Sequence, residues 1–461
     1  MREKFLLLIL ILITQVISAQ EKKLSDFKIS EFYSKTETEN NSFQDIDLNP
    51  ETILLDGINE DFTNINDLKW LQPVSKKNKI VLIGETHYSK YINNLLNKII
   101  FSLNTFDYFP LVIFEQPYSL TPFVNYYIHI NDNQKAKDYF KNELSKYVYT
   151  VEDSITYENF RKWNKINPNK PIQIGFNDLE FAYEEMIEEI LRPYFYSLKI
   201  VDKSTINKIL ELGKLQSNQF FIEIKQLLKL AKEQNLTGKY PFINIDYITN
   251  VIDNFSDTNN AFRYGFEYYR QKSIIKKLTN NSYFGEFITK KKAILYGGGE
   301  HMKSKFNYPD NANFLSEGSF LNYDYNITKN KVYSIMLKGM AFSLNEMANI
   351  NLKDCISQGS QYVSIIKRMK NAYDNDLLDK EKPYFVFGFR NDLEKLIVNY
   401  SYKFNKKALY FNNNDWEKIM NNPKNDDMLK ENLEIENEEI NVYDKLFYIS
   451  YSPIVQARKK Q

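Results

Sequence analysis

The chain of 461 residues has one cysteine, three histidines, almost no net charge and no long apolar segment. Each shortage removes a class of protein. With Cys355 alone, neither an intrachain disulfide nor a zinc–thiolate cluster can form. No histidine lies near Cys355 in sequence, which argues against an activated thiol nucleophile. Sixty Lys and Arg stand against 59 Asp and Glu, so no bulk field holds nucleic acid or an anionic membrane. The lysines are interspersed with acids along helix-like segments, as on a solvated surface. The apolar run from Phe5 to Ile13 is shorter than the ~20 residues that span a bilayer. Three local signatures are missing as well: G-x-S-x-G of a serine elbow, G-x-G-x-x-G of a dinucleotide site and H-E-x-x-H of a zinc helix. No internal repeat or low-complexity window is visible.

What is present reads as a folded protein, since hydrophobic residues make up 43% and aromatics 15% of the chain. The first 19 residues, "MREKFLLLILILITQVISA", have a charged start, an apolar run and small residues at Ser18 and Ala19. That is the layout of a signal peptide, so export to the periplasm or the medium is expected, with no membrane span afterwards. No cysteine follows the run to take a lipid. Residues 20–60 read as a polar leader, and 61–461 as the folded domain. Its apolar runs are "KIVLIG" (79–84), "PLVIFE" (110–115), "PIQIGF" (171–176), "KAILYGGG" (292–299), "KVYSIMLKG" (from 331), "PYFVFGF" (383–389) and "KLFYISYSP" (445–453). Each resembles a strand buried on both faces. Helical patterns lie between several of them, at 91–103, 157–166 and 179–195. Strands alternating with helices predict an α/β fold, a mostly parallel β-sheet flanked by helices in a three-layer α/β/α arrangement. Residues 196–290 contain no convincing strand and are expected to be a large helical insertion.

In such sheets ligands bind beyond the carboxyl ends of the strands. The first run delivers Gly84, Glu85 and His87 there, and the second ends in Glu115. The third runs into Asn177, Asp178 and Glu180, and the fourth gives Gly297, Gly298, Gly299, Glu300 and His301. Two of the three histidines thus fall at corresponding ends of separate strands. His129, in "NYYIHI", has no such setting and is expected to be a packing or surface residue. Histidine is suited to proton transfer near neutral pH, and a carboxylate beside it fixes its tautomer and raises its basicity.

The order G-E-x-H after the first strand, Glu at the end of the second and a glycine turn ending in His resembles the erythromycin esterase-like family. That family belongs to a superfamily with the ChaN-like haem-binding lipoproteins and, more distantly, the TraB/TIKI proteins. "NFRKWNKINPNKPIQIGFNDLE", "YRQKSIIKKL" and "VYDKLFYISYSP" are similar to its segments before the third strand, on its arginine-bearing helix and in its last strand. The resemblance implies His87 as general base, Glu115 as its supporting acid, His301 as the second histidine, Glu85 as the acid of the first motif and Arg270 as the helix arginine. Erythromycin esterases read G-E-A-T-H-G; here the motif is one residue shorter and Tyr88 stands in place of the last glycine, closer to the ChaN-like branch.

The expected activity is hydrolysis of a small-molecule ester or lactone by a water activated at His87. Glu85 or Glu115 would support the base, His301 or Arg270 would serve the oxyanion or leaving group, and Gly84, Asp178, Gly298, Gly299 and Glu300 would line the ligand. No cofactor is expected for this reading. Two alternatives use the same residues: a divalent metal on His87, Glu115 and His301, as in the TIKI proteases, or a ChaN-like carrier binding haem or another apolar ligand.

Overall fold

The computed structural model describes residues 32–34, 46–87, 89–148, 150–234, 236, 238–306, 316–339, 341–343, 374–375, 384–387, 407–422, 436–438 and 440–449. The signal-like segment, Tyr88 and Cys355 lie outside them.

Among the described residues the strands, in chain order, are β1 (Phe32–Ser34), β2 (Glu51–Leu54), β3 (Ile80–Glu85), β4 (Leu111–Pro117), β5 (Gln173–Asp178), β6 (Ala293–Gly298), β7 (Val332–Gly339), β8 (Ala341–Ser343), β9 (Tyr384–Phe387), β10 (Lys407–Tyr410) and β11 (Lys445–Ile449). Eight form one sheet in the order β2-β10-β11-β7-β3-β6-β4-β5. The six from β11 to β5 run parallel, and β10 is antiparallel to both β11 and β2. This is the expected α/β fold with a mostly parallel sheet.

The central strands are continuous apolar runs because both of their faces are covered. Ile80, Val81, Leu82 and Ile83 of β3 and Ala293, Ile294 and Leu295 of β6 are wholly buried. The first crossover helix, α1 (Lys90–Phe106), starts where Ser89 Oγ accepts the Ile92 amide. Ile92, Leu95, Leu96, Ile99, Ile100 and Leu103 then recur every three or four residues and are all buried. The edge strand β5 is closed by side chains rather than by another strand. Asn125 of α2 (Thr121–Ile128) donates to the Ile174 carbonyl and accepts its amide at 2.9 Å, and Thr121 Oγ1 accepts from Phe176 at 3.1 Å. These bonds occupy edge groups that would otherwise be open to a second chain.

Two expectations change. "PYFVFGF" does not extend the main sheet: β9 pairs antiparallel with β1 and β8 in a separate three-stranded sheet. The stretch expected to be leader, 20–60, contains β2, which forms the edge of the main sheet against β10. The expected insertion contains helices and no strand among its described residues, with α3 (Lys203–Lys214), α4 (Asn218–Glu233), α5 (Ile245–Tyr264) and α6 (Phe266–Thr279) between β5 and β6.

Connectivity places the site. From β3 the chain moves along the sheet to β4 and β5, then returns to β6 and onward to β7 on the far side of β3. Adjacent strands β3 and β6 therefore send their connections in opposite directions. A crevice opens where such connections part.

Candidate active site

The carboxyl ends of β3 and β6 meet in register, with Glu85 opposite Gly298. Glu85 closes β3, and one oxygen of its carboxylate bonds His87 Nδ1 at 2.8 Å. The other accepts the hydroxyl of Tyr296, which projects from β6. Tyr296, Glu85 and His87 thus form a chain that fixes the imidazole by its Nδ1 side. The His87 side chain is 47% exposed, unlike the rest of the cluster.

Glu115 comes from β4, whose pairing with β5 slips between Phe114 and Pro117 and whose pairing with β6 ends at Phe114. The irregularity re-aims the carboxylate toward the glycine turn, as bulges do. Its Oε2 accepts the Gly298 amide at 2.6 Å, and its Oε1 accepts from Arg270. The glycines follow from this closeness. A Cβ on Gly297 would stand 2.5 Å from Glu115 Oε2, and one on Gly298 would lie 3.3 Å from His87 Nε2 and 3.6 Å from His301 Cδ2. A side chain at 298 would fill the space between the histidines.

Arg270 arrives on α6 from the insertion. Its Nε and Nη2 clamp the two oxygens of Asp178 at 2.9 and 2.8 Å, and Nη1 stands 3.0 Å from His301 Nε2. His301 lies in a short 3₁₀ turn, Gly299–Met302, with Nδ1 3.0 Å from Glu317 and 3.1 Å from Gln271 Oε1. Its Nε2 lies 3.5 Å from Glu115 Oε1.

Four carboxylates share the site with one guanidinium and two imidazoles: Glu115 and Asp178 pair with Arg270, Glu85 with His87 and Glu317 with His301, and the acidic excess raises both histidines. Desolvation opposes a charge on His87, but the bond and charge of Glu85 and the charge of Glu115 outweigh it and raise the imidazole to about 9. His301 is likewise raised to about 9: burial and Arg270 oppose, while Glu317 and Glu115 prevail. Glu115 is held down to about 2, since His301, Arg270, His87 and the Gly298 amide overcome its burial. Burial raises Asp153 to about 6, with a contribution from the charge of Glu85.

Most residues expected at the site converge there: Glu85, His87, Glu115, Asp178, Arg270, Gly298 and His301. Others do not. Glu300 turns outward, with its side chain 69% exposed and paired to Lys303. Gly84 and Gly299 serve packing, with Met336 Sδ at 3.1 Å and 2.8 Å from where their Cβ atoms would stand. The Gly298 amide is committed to Glu115 and does not face a ligand oxyanion. Glu180 is buried in its own network, accepting from Ser119 and Asn254. His129 is exposed and bonded to the Asn125 carbonyl at 2.7 Å, as a surface residue. A separate recess of about 830 Å³, with Tyr127, Glu158 and Arg161 in its wall, contains none of the site residues.

Tyr296, Gln271 and Glu317 were not anticipated from sequence. Tyr296 lies in an apolar strand and reads as a core aromatic; Glu317 is 16 residues beyond His301 and meets it only through the fold.

A divalent metal does not fit the proposed donors. Arg270 lies against both Glu115 and His301 Nε2, placing a fixed positive charge where a cation would bind. Among the described residues no group of three His, Cys, Asp or Glu side chains is arranged to hold a metal.

No family model and no curated protein matches the chain. Similar solved structures include a Bacillus cereus protein at 15% identity, covering 93% of this chain and 100% of that one with a TM-score of 0.47. An erythromycin esterase, EreC, in an open conformation is 11% identical and covers 64% of this chain and 79% of its own, with a TM-score of 0.42. A haem-binding ChaN of Campylobacter jejuni is 13% identical over 69% of this chain and 90% of that one, with a TM-score of 0.25. Both groups suggested by the motifs are therefore among its structural neighbours. Likeness this distant carries nothing about activity, which rests on the site itself.

Proposed function

We propose that the protein hydrolyses an ester or lactone with His87 as the proton-transferring group. The supporting observation is the pair His87–Glu85, with Nδ1 tied to a carboxylate at 2.8 Å and the ring half exposed beside the glycine turn. In the reaction, water oxygen bonds to the acyl carbon while His87 Nε2 takes its proton. The acyl–oxygen bond then breaks, and the same proton passes to the departing alkoxide. Glu85 keeps the proton on Nδ1 and offsets the imidazolium charge. Glu115, Arg270, Asp178 and His301 form a buried lattice behind it. The Arg270 arrangement favours a mechanism without a metal.

Raised basicity changes one expectation. At neutral pH His87 is mostly protonated, so the base form grows as pH approaches about 9. The N-terminal signal pattern supports export, which fractionation and N-terminal sequencing of the mature chain would check.

Residues 20–461 assayed against an ester and lactone panel test the proposal. His87→Gln should lower kcat/KM roughly 10²–10⁴-fold, and Glu85→Gln less. Unchanged turnover in His87→Gln would overturn it. So would a protein inert to the whole panel that takes up haem stoichiometrically and loses it on substitution of His87.

A further inference from the structure

At the opposite end of the sheet, where the parallel strands begin, seven lysines line one open recess of about 450 Å³: Lys76, Lys77, Lys79, Lys290, Lys291, Lys292 and Lys331. The grouping is imposed by register. Ile80 of β3 pairs with Ala293 of β6 and Val332 of β7, so Lys79, Lys292 and Lys331 occupy equivalent positions just before three neighbouring strands. Strands are spaced about 4.8 Å apart, so the three side chains start from backbone positions closer than the Debye length of about 8 Å at physiological salt. The remaining four end the helices on either side, Lys76 and Lys77 in the last turn of Leu71–Lys77, Lys290 and Lys291 at the end of Gly285–Lys290.

Part of this charge is accounted for locally. Lys79 donates to the Thr289 carbonyl at 2.7 Å, Lys292 pairs with Asp107 at 2.7 Å, and Lys290 pairs with Glu286. Helix carboxyl ends also favour cations. Yet among the described residues two acids, Asp107 and Glu286, answer seven lysines, in a chain whose total charge is +1. Like charges side by side cost stability. The cost is visible at Lys79, whose ammonium is disfavoured by burial and by Lys331.

We infer that this recess binds a free oligophosphate-type anion, a short chain of phosphate groups carrying several negative charges. The wall supplies point charges rather than flat guanidinium forks, and lysine binds phosphate in that way. Seven ammonium groups gathered around one small open recess suit a compact multivalent anion. The recess lies away from the histidine cluster and is independent of the proposed hydrolysis.

The test is calorimetric titration of the full chain with sodium tripolyphosphate, beside orthophosphate and vesicles of anionic phospholipid. The variant is Lys77→Gln/Lys291→Gln/Lys331→Gln, and Lys77→Arg/Lys291→Arg/Lys331→Arg preserves the charge. Tripolyphosphate should bind one per chain, more tightly than orthophosphate and more weakly as salt rises. Each lysine beside an anion is worth about a factor of five, so the glutamine variant should bind at least about tenfold more weakly. The arginine variant should retain binding, and melting curves will show that both are folded. Absence of tripolyphosphate binding, equal affinity in the glutamine variant, or binding to vesicles alone would each overturn the assignment.

Discussion

Tyr296, Glu85 and His87 act as one unit: a phenol holds one carboxylate oxygen and the imidazole the other. Because Glu85 is a main source of the raised basicity, Glu85→Gln should bring His87 down from about 9 toward its ordinary 6.5. With only three histidines in the chain, an NMR titration of ring signals resolves this directly. Stability should follow the same charges. His87 and His301 are raised when folded, so their contribution is complete below about 6.5 and is lost as pH climbs through about 9. Glu115 is depressed, so its share is present above about 4.5 and is lost as pH falls toward about 2. The melting temperature should decline on the alkaline side, and less so in His301→Gln; an identical decline in that variant would detach His301 from it. At this scale the sequence was informative where a residue ends a strand. Glu85, His87, Glu115 and His301 could be read that way. Glu300 could not be separated from its neighbour His301, because adjacent residues in a tight turn point in different directions.

Among the elements, the glycine turn after β6 is shaped by Glu115. Gly297→Ala would drive its new methyl into the Glu115 side chain, whose Oε2 and Cβ stand 2.5 and 3.0 Å from the added atom. Overpacking of this kind costs about 1–3 kcal/mol. The variant should melt lower and lose activity, and wild-type values for both would show that the turn has room. The long apolar strands and α1 were legible because their periodicity is strong. The strands β2, "ETIL", and β10, "KALY", were not: four residues of mixed polarity at a sheet edge carry no pattern that a loop does not also carry. The slip in β4 that aims Glu115 is a matter of pairing partners, which no single strand's sequence contains.

Over the whole molecule, the helical insertion is a working part of the site. It delivers Arg270, and it is pinned to the sheet by Asn254 of α5, which donates to the Asp178 carbonyl at 3.0 Å and to Glu180 at 2.8 Å. Thr258 accepts the Glu180 amide from the same helix. The glycine between α5 and α6, Gly265, has φ of +144°, and this reversal lets Arg270 point back at Asp178 and Glu115. Asn254→Ala would leave the buried Glu180 short of a partner, at a cost of about 1–3 kcal/mol. Lower stability together with weakened activity is expected, although Asn254 touches neither histidine; full activity at unchanged stability would show that the insertion docks by other contacts. The insertion's helical character was visible from its composition and spacing, but its docking depends on polar side chains that meet only when β5 and α5 are packed together.

In the proposed hydrolysis a carboxylate-held His87 transfers the proton. The most direct measurement is kcat/KM against pH, from about 6 to about 10, for any ester or lactone the protein turns over, in wild type and Glu85→Gln. The rate should climb through a midpoint near pH 9 in wild type, and that midpoint should move toward about 6.5 in Glu85→Gln as the imidazole loses its carboxylate. A flat profile, or a midpoint that ignores Glu85, would contradict it.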